Sequence, residues 1–130
     1  MGLDDDIYTI LNTLWVIATI AKPTSFHLNE QDPSPQMRNL HIQATYDGVL
    51  TPAQADNLAD TRITQWEITG YEGLEVDAIN CIKVIKKLLH EADVGAGHYH
   101  MDKFSISEKN KLVTYILNGH LYKEINHDEF

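Results

Sequence analysis

Covalent cross-links cannot hold this chain together. Its 130 residues include one cysteine, Cys81, so no internal disulfide is possible. The chain is long enough to bury a core without disulfide or metal staples. Cys81 lies among apolar residues at helical spacing, where a free cysteine behaves as a small hydrophobe. Basic residues are scarce as well: 10 Lys and Arg stand against 19 Asp and Glu, a net charge of −9. The deficit sits in the first half, where residues 1–77 hold 12 acidic and 3 basic side chains, whereas residues 78–130 hold 7 of each. Such a surface repels phosphate backbones and argues against nucleic-acid binding. It favours solubility, and any partner it attracts electrostatically would be basic.

No hydrophobic run is long enough to span a bilayer. The uncharged stretch from Ile7 to Ala21 covers 15 residues, fewer than the roughly 20 a spanning helix needs. Its acidic start, Asp4-Asp5-Asp6, is unlike a signal peptide. The expectation is a cytoplasmic protein that does not enter membranes. Glycine-rich phosphate loops and Gly-x-Ser-x-Gly elbows are also missing, so no nucleotide-binding or hydrolase motif can be placed. Low-complexity tracts and repeats are absent too, which makes residues 1–130 read as a single domain.

The periodicities that are present point mainly to helices. From Tyr71, the residues Leu74, Ala78, Cys81, Ile82, Ile85, Leu88, Leu89 and Ala92 fall within about 120° of a helical wheel, and Lys83, Lys86, Lys87 and His90 lie opposite. Thr69 and Glu72 fit a capping box, although Gly70 and Gly73 would weaken the first turn and move the start toward Leu74. A second helix is expected over 4–21. Its lack of charge calls for cover nearly all round, from the domain or from another subunit. A third runs from Pro52 to Trp66 behind an Asp47-Gly48 turn and a Thr51 cap. A fourth follows Ser107, with Leu112, Val113, Ile116 and Leu117 at helical spacing. Its rival is a hairpin turning at Asn118-Gly119. Residues 22–36, with three of the four prolines, read as a loop. Alternation at 38–46 and 98–106 allows one or two short strands. The fold expected is therefore mainly α, a compact domain of four or five helices, with an α+β domain built on a small antiparallel sheet as the alternative.

Two short stretches resemble known metal motifs. Asp47-Gly48 with Leu50 and Gln54 resembles the second half of an EF-hand loop, but Gln43, Thr45 and Gln54 stand where that loop needs its strongest oxygen ligands. The order His98-x-His100-x-Asp102 resembles that of metallo-β-lactamase-like hydrolases. Their larger scaffold and further histidines have no counterpart here. In an extended segment these three side chains share one side, and two imidazoles with a carboxylate suit zinc or iron. His41, His90, His120 and His127 are the other histidines that a fold might bring near. The plain alternative is that His98, His100 and Asp102 form the polar face of an edge strand. No catalytic residue, cofactor or metal site is assigned. The functional expectation is a small acidic protein acting through protein–protein contacts, as an adaptor, inhibitor or immunity-type protein, with homodimerisation one form of that. The alternative is a small-molecule or metal-binding protein with a pocket near His98, His100, Asp102 and Trp66.

Overall fold

The computed structural model describes residues 3–15, 23, 25–28, 38–50, 59–91 and 98–126. Over these residues the mainly α expectation is overturned: five strands form one mixed sheet, and two helices cover it. In chain order the elements are α1 (Leu3–Leu14), β1 (Ser25–Leu28), β2 (Asn39–Leu50), β3 (Ala59–Glu72), α2 (Glu75–Glu91), β4 (His98–Lys109) and β5 (Leu112–Asn126). The sheet is neither small nor wholly antiparallel. Its order is β1-β2-β3-β5-β4, β1 runs parallel to β2, and the other neighbours are antiparallel. β5 therefore lies between β3 and β4, the two strands that α2 connects.

Two of the expected helices fail for one reason. A continuous apolar run satisfies a period of 2 as readily as one of 3.6, and tertiary pairing decides between them. The stretch expected as helix 52–66 enters β3 from Ala59, and its first residues, 52–58, lie outside the described residues. The helix expected after Ser107 is the end of β4 and the start of β5, where Val113, Tyr115 and Leu117 alternate inward. The Asn118-Gly119 turn is also displaced, since both residues lie within β5. The real turn is Asn110-Lys111, whose φ angles of 55° and 63° fit a type I′ connection. Asp47-Gly48 pairs along β2 instead of turning.

The helix centred on Cys81 does form, but it starts at Glu75, and Thr69 to Glu72 belong to β3. Its buried side is Ala78, Cys81, Ile82, Ile85, Leu88 and Leu89. Glu75 and Asp77 in the first turn and His90 in the last suit the helix dipole. α1 is not covered nearly all round within the chain: Ile7, Leu11 and the following Trp15 are buried, while Thr9, Asn12, Thr13 and Leu14 are exposed. Residues 16–21 of that expected helix lie outside the described residues.

Both helices pack on one face of the sheet, α1 over β1, β2 and β3 and α2 over β3, β5 and β4, and they touch each other. The core lies between the layers and is built from cross-strand rows. One row is Leu40, Gly70, Tyr115 and Ile106; the next is Ile42, Ile68, Leu117 and Phe104; the third is Ala44, Trp66, Gly119 and Met101. The first and third rows carry glycines for a steric reason. A Cβ on Gly119 would sit inside the Trp66 indole, and one on Gly70 inside the Tyr115 ring. Each aromatic ring crosses the bare backbone of its partner on the neighbouring strand, an arrangement that covers strand glycines with apolar surface. Register irregularities in β2, between Ala44 and Tyr46, and in β4, between Met101 and Lys103, flank the Trp66–Gly119 row. Bulges of this kind add local twist.

Candidate functional site

The sheet face away from the helices is polar, and most described histidines lie there. His27 and His41 face each other across β1 and β2, their rings stacked with centroids 4.8 Å apart. Tyr71 meets His41 edge-on at 5.5 Å, and Ser25 Oγ lies 2.9 Å from Nε2 of His27. At the opposite end of the strand order, His98 stands across from Tyr122, and His100 across from His120. His120 stacks on Tyr122 at 5.6 Å.

The three residues singled out in sequence, His98, His100 and Asp102, all lie on β4, but they do not form one site. Asp102 occupies the irregularity between Met101 and Lys103, where the simple alternation along β4 is interrupted. It turns instead toward β5, where its Oδ2 lies against Nδ1 of His120. Its Oδ1 is 3.8 Å from Nε2 of His100. Gln65 Nε2 lies 3.1 Å from the other ring nitrogen of His120. The contacts with Asp102 and Gln65 make His120 a link across β3, β5 and β4. Asn118 donates to Glu67 at 3.0 Å in a second bridge between β5 and β3. Among the described residues no group of three or more His, Cys, Asp and Glu side chains is placed to hold a metal ion. Sequence reasoning had His120 only as one histidine among four. Its partnership with Asp102 depends on strand register, which residue spacing along the chain does not reveal.

A cavity of about 190 Å³ opens on the helix side, between the second half of α2 and strands β3 and β4. Trp66, Lys86, Leu89, His90, Tyr99, His100 and Met101 line it. His100, whose ring belongs to the opposite face of the sheet, only borders this cavity, and His98 and Asp102 are not part of it. The Trp66 side chain is buried, and its indole N–H has no hydrogen-bond partner among the described residues.

Nearer the hairpin end, α2 and β5 meet in a buried pair. The Tyr115 hydroxyl hydrogen-bonds Cys81, and burial pushes the Cys81 thiol up to about 12 and the Tyr115 phenol well above its ordinary range. Glu72, also buried, has its carboxyl raised by burial, an effect that nearby Arg38 opposes. A thiol held this far toward its neutral form is a poor nucleophile. The reading of Cys81 as a packing residue fits this setting.

The edge at β4 has a different character. Phe104 is 55% exposed, and so are Leu74 (61%), Val76 (58%) and Ile79 (36%) at and near the start of α2. No described helix is long and apolar enough to cross a membrane.

No family model matches the chain, and no curated protein matches its sequence. Among solved structures, a chain from the virion of a native gene transfer agent particle shares the fold. It superposes with a TM-score of 0.57 at 12% identity, covering 95% of this chain and 96% of that one.

Proposed function

We propose that this protein is a structural subunit of a virion-like particle, acting in the cytoplasm through contacts with other proteins, copies of itself among them, and not by catalysis. The observation that carries this reading is the fold shared along nearly the whole of both chains with a virion component. The exposed apolar residues at the β4 edge give such contacts a place to form. The acidic excess of residues 1–77 suits a partner with a basic surface. Sedimentation velocity across a wide range of protein concentration, with electron microscopy of the fractions, tests it. Discrete oligomers or rings are the expected result. A strict monomer at every concentration would remove the support for self-assembly.

A second reading, as a binder of a small molecule, rests on the cavity beside Trp66 and His100. Its volume is below the usual range for drug-sized ligands, so only a small ligand fits. Lys86 and the unpartnered indole N–H favour one with a carboxylate. Small aromatic carboxylates should then raise the melting temperature of the native protein but not of Lys86→Ala. No shift from any of them would end this reading.

A further inference from the structure

The cavity under the second half of α2 has an apolar interior and a cationic rim. Trp66, Leu89, Tyr99 and Met101 form its walls, and Lys86 and His90, both exposed, are the α2 residues at its mouth. Its volume of about 190 Å³ suits a single aromatic ring, since an apolar cavity of about 150 Å³ takes up benzene. The Trp66 ring is turned so that the edge carrying its N–H lies over Gly119, whose neighbour on β4 is the cavity residue Met101. That N–H is buried and has no acceptor among the described residues. It is aimed into a space where a carbonyl or carboxylate would satisfy it.

The rim continues along the helix. Lys83, Lys86, Lys87 and His90 are all exposed, and they fall within about 100° of the α2 wheel. The nearby carboxylates of the described residues are already engaged, Glu91 by Lys87 and Asp102 by His120. Lys83 and Lys86 lie one turn apart, with Cβ atoms roughly 5–6 Å from each other, and set two positive charges beside the mouth. An occupant that suits both parts is an aromatic side chain next to a pair of carboxylates. Outside the described residues the sequence has one aromatic residue, Phe130, and Asp128-Glu129 precede it directly.

We infer that this cavity receives the Phe130 ring of a second copy of the chain, with the partner's Asp128 and Glu129 set against Lys83 and Lys86. This inference rests on the assembly reading above and supplies one of its contacts. The ring cannot come from the same chain. β5 carries the backbone away from the cavity, from Leu121 opposite Tyr99 to Asn126, a distance of roughly 17 Å. Phe130 is four residues further on, and reversing direction uses about four residues in a turn, so it falls short of its own cavity. The segment given by one copy and the cavity offered by the next are different surfaces. The contact is therefore heterologous, and repeated from copy to copy it closes a ring or runs on as a filament.

Charge reversal tests it by sedimentation velocity. Phe130→Ala should weaken association by about tenfold or more, as loss of a buried aromatic anchor does, without altering the far-UV circular dichroism. Lys83→Glu combined with Lys86→Glu should weaken it too, and so should Asp128→Lys combined with Glu129→Lys. An equimolar mixture of the two charge-reversed proteins should associate again, because the reversed segment of one then meets the reversed rim of the other. Association of the native protein that survives Phe130→Ala, or a mixture that stays apart, would overturn this docking and leave the assembly reading standing. A native protein that stays monomeric at every concentration would overturn both.

Discussion

Gly119 and Gly70 carry more of the packing than their size implies. Each is the floor on which an aromatic ring from the neighbouring strand lies. Adding a methyl group displaces Trp66 or Tyr115 from the core, and overpacking of this kind costs about 1–3 kcal/mol. Gly119→Ala and Gly70→Ala should each lower the urea midpoint accordingly, and an unchanged midpoint in either would show that the ring does not cross the glycine. Neither role could be read from the chain, where Gly119 looked like half of an Asn-Gly turn and Gly70 like a weak helix start.

Cys81 leads to a second prediction at this scale. Burial holds its thiol near 12, so a disulfide reagent at pH 8 should modify it only after unfolding. The stability consequence has a definite sign. The unfolded thiol ionises near its ordinary value of 9.0, but the folded one stays neutral to about 12. Its contribution to stability is therefore full below pH 9 and lost as pH rises toward 12. Tyr115 shifts in the same direction. Cys81→Ala should flatten the alkaline fall in stability between those limits, and a denaturation series across that pH range measures it. The identification of Cys81 as a packing residue was open to sequence reasoning, since its position on an apolar arc was visible. Its hydroxyl partner on β5 was not.

At the scale of elements, the hairpin joining β4 and β5 is the clearest departure from sequence rules. Asn110 tolerates a left-handed backbone, but Lys111 does so at a cost. Lys111→Gly would create the Asn-Gly pair that a type I′ turn prefers. It should raise stability by about 0.5–1 kcal/mol, net of the entropy a glycine adds to the unfolded chain. A lower urea midpoint would mean that the turn is of another type. Asn118-Gly119, eight residues downstream, has the composition of a turn, and only cross-strand pairing shows it to be mid-strand.

α2 was legible because its charged and apolar residues segregate at a period of 3.6. β3 and β5 were not, because in a sheet covered on one side the open face still carries Ile63, Ile116 and Tyr122. Those residues fill in the alternation and let a helical period fit as well. The histidines show the same limit. Their spacing on β4 suggested a metal site, and the fold spends Asp102 on His120 instead.

At the scale of the whole molecule, charge opposes association. Each copy carries −9, and any assembly of copies gathers that charge. Salt screens the repulsion over about 10 Å at 0.1 M. If copies associate through exposed apolar residues such as Phe104, Val76 and Ile79, self-association should strengthen as salt rises. Association that weakens with salt would point to charge pairs as the glue. Acid should act in the same direction as salt, because protonating all seven histidines would bring the net charge to −2. Light scattering near pH 5, where the sequence is close to its isoelectric point, would then show larger assemblies than at pH 8.

The position of β5 has a consequence for how the molecule comes into being. Chains are made from the N-terminus, and here the strand that lies between β3 and β4 is the last of the five to be made. Until it arrives, β3 has a bare side and β4 has no partner at all, so α2 has no finished surface to lie on. Domain formation must wait for the Asn110-Lys111 turn to bring β5 back, closing contacts with β3 across a separation of more than forty residues. Such long loops are slow to close. A nascent chain stalled before residue 112 should therefore remain protease-sensitive, and one released after Tyr122 should become resistant.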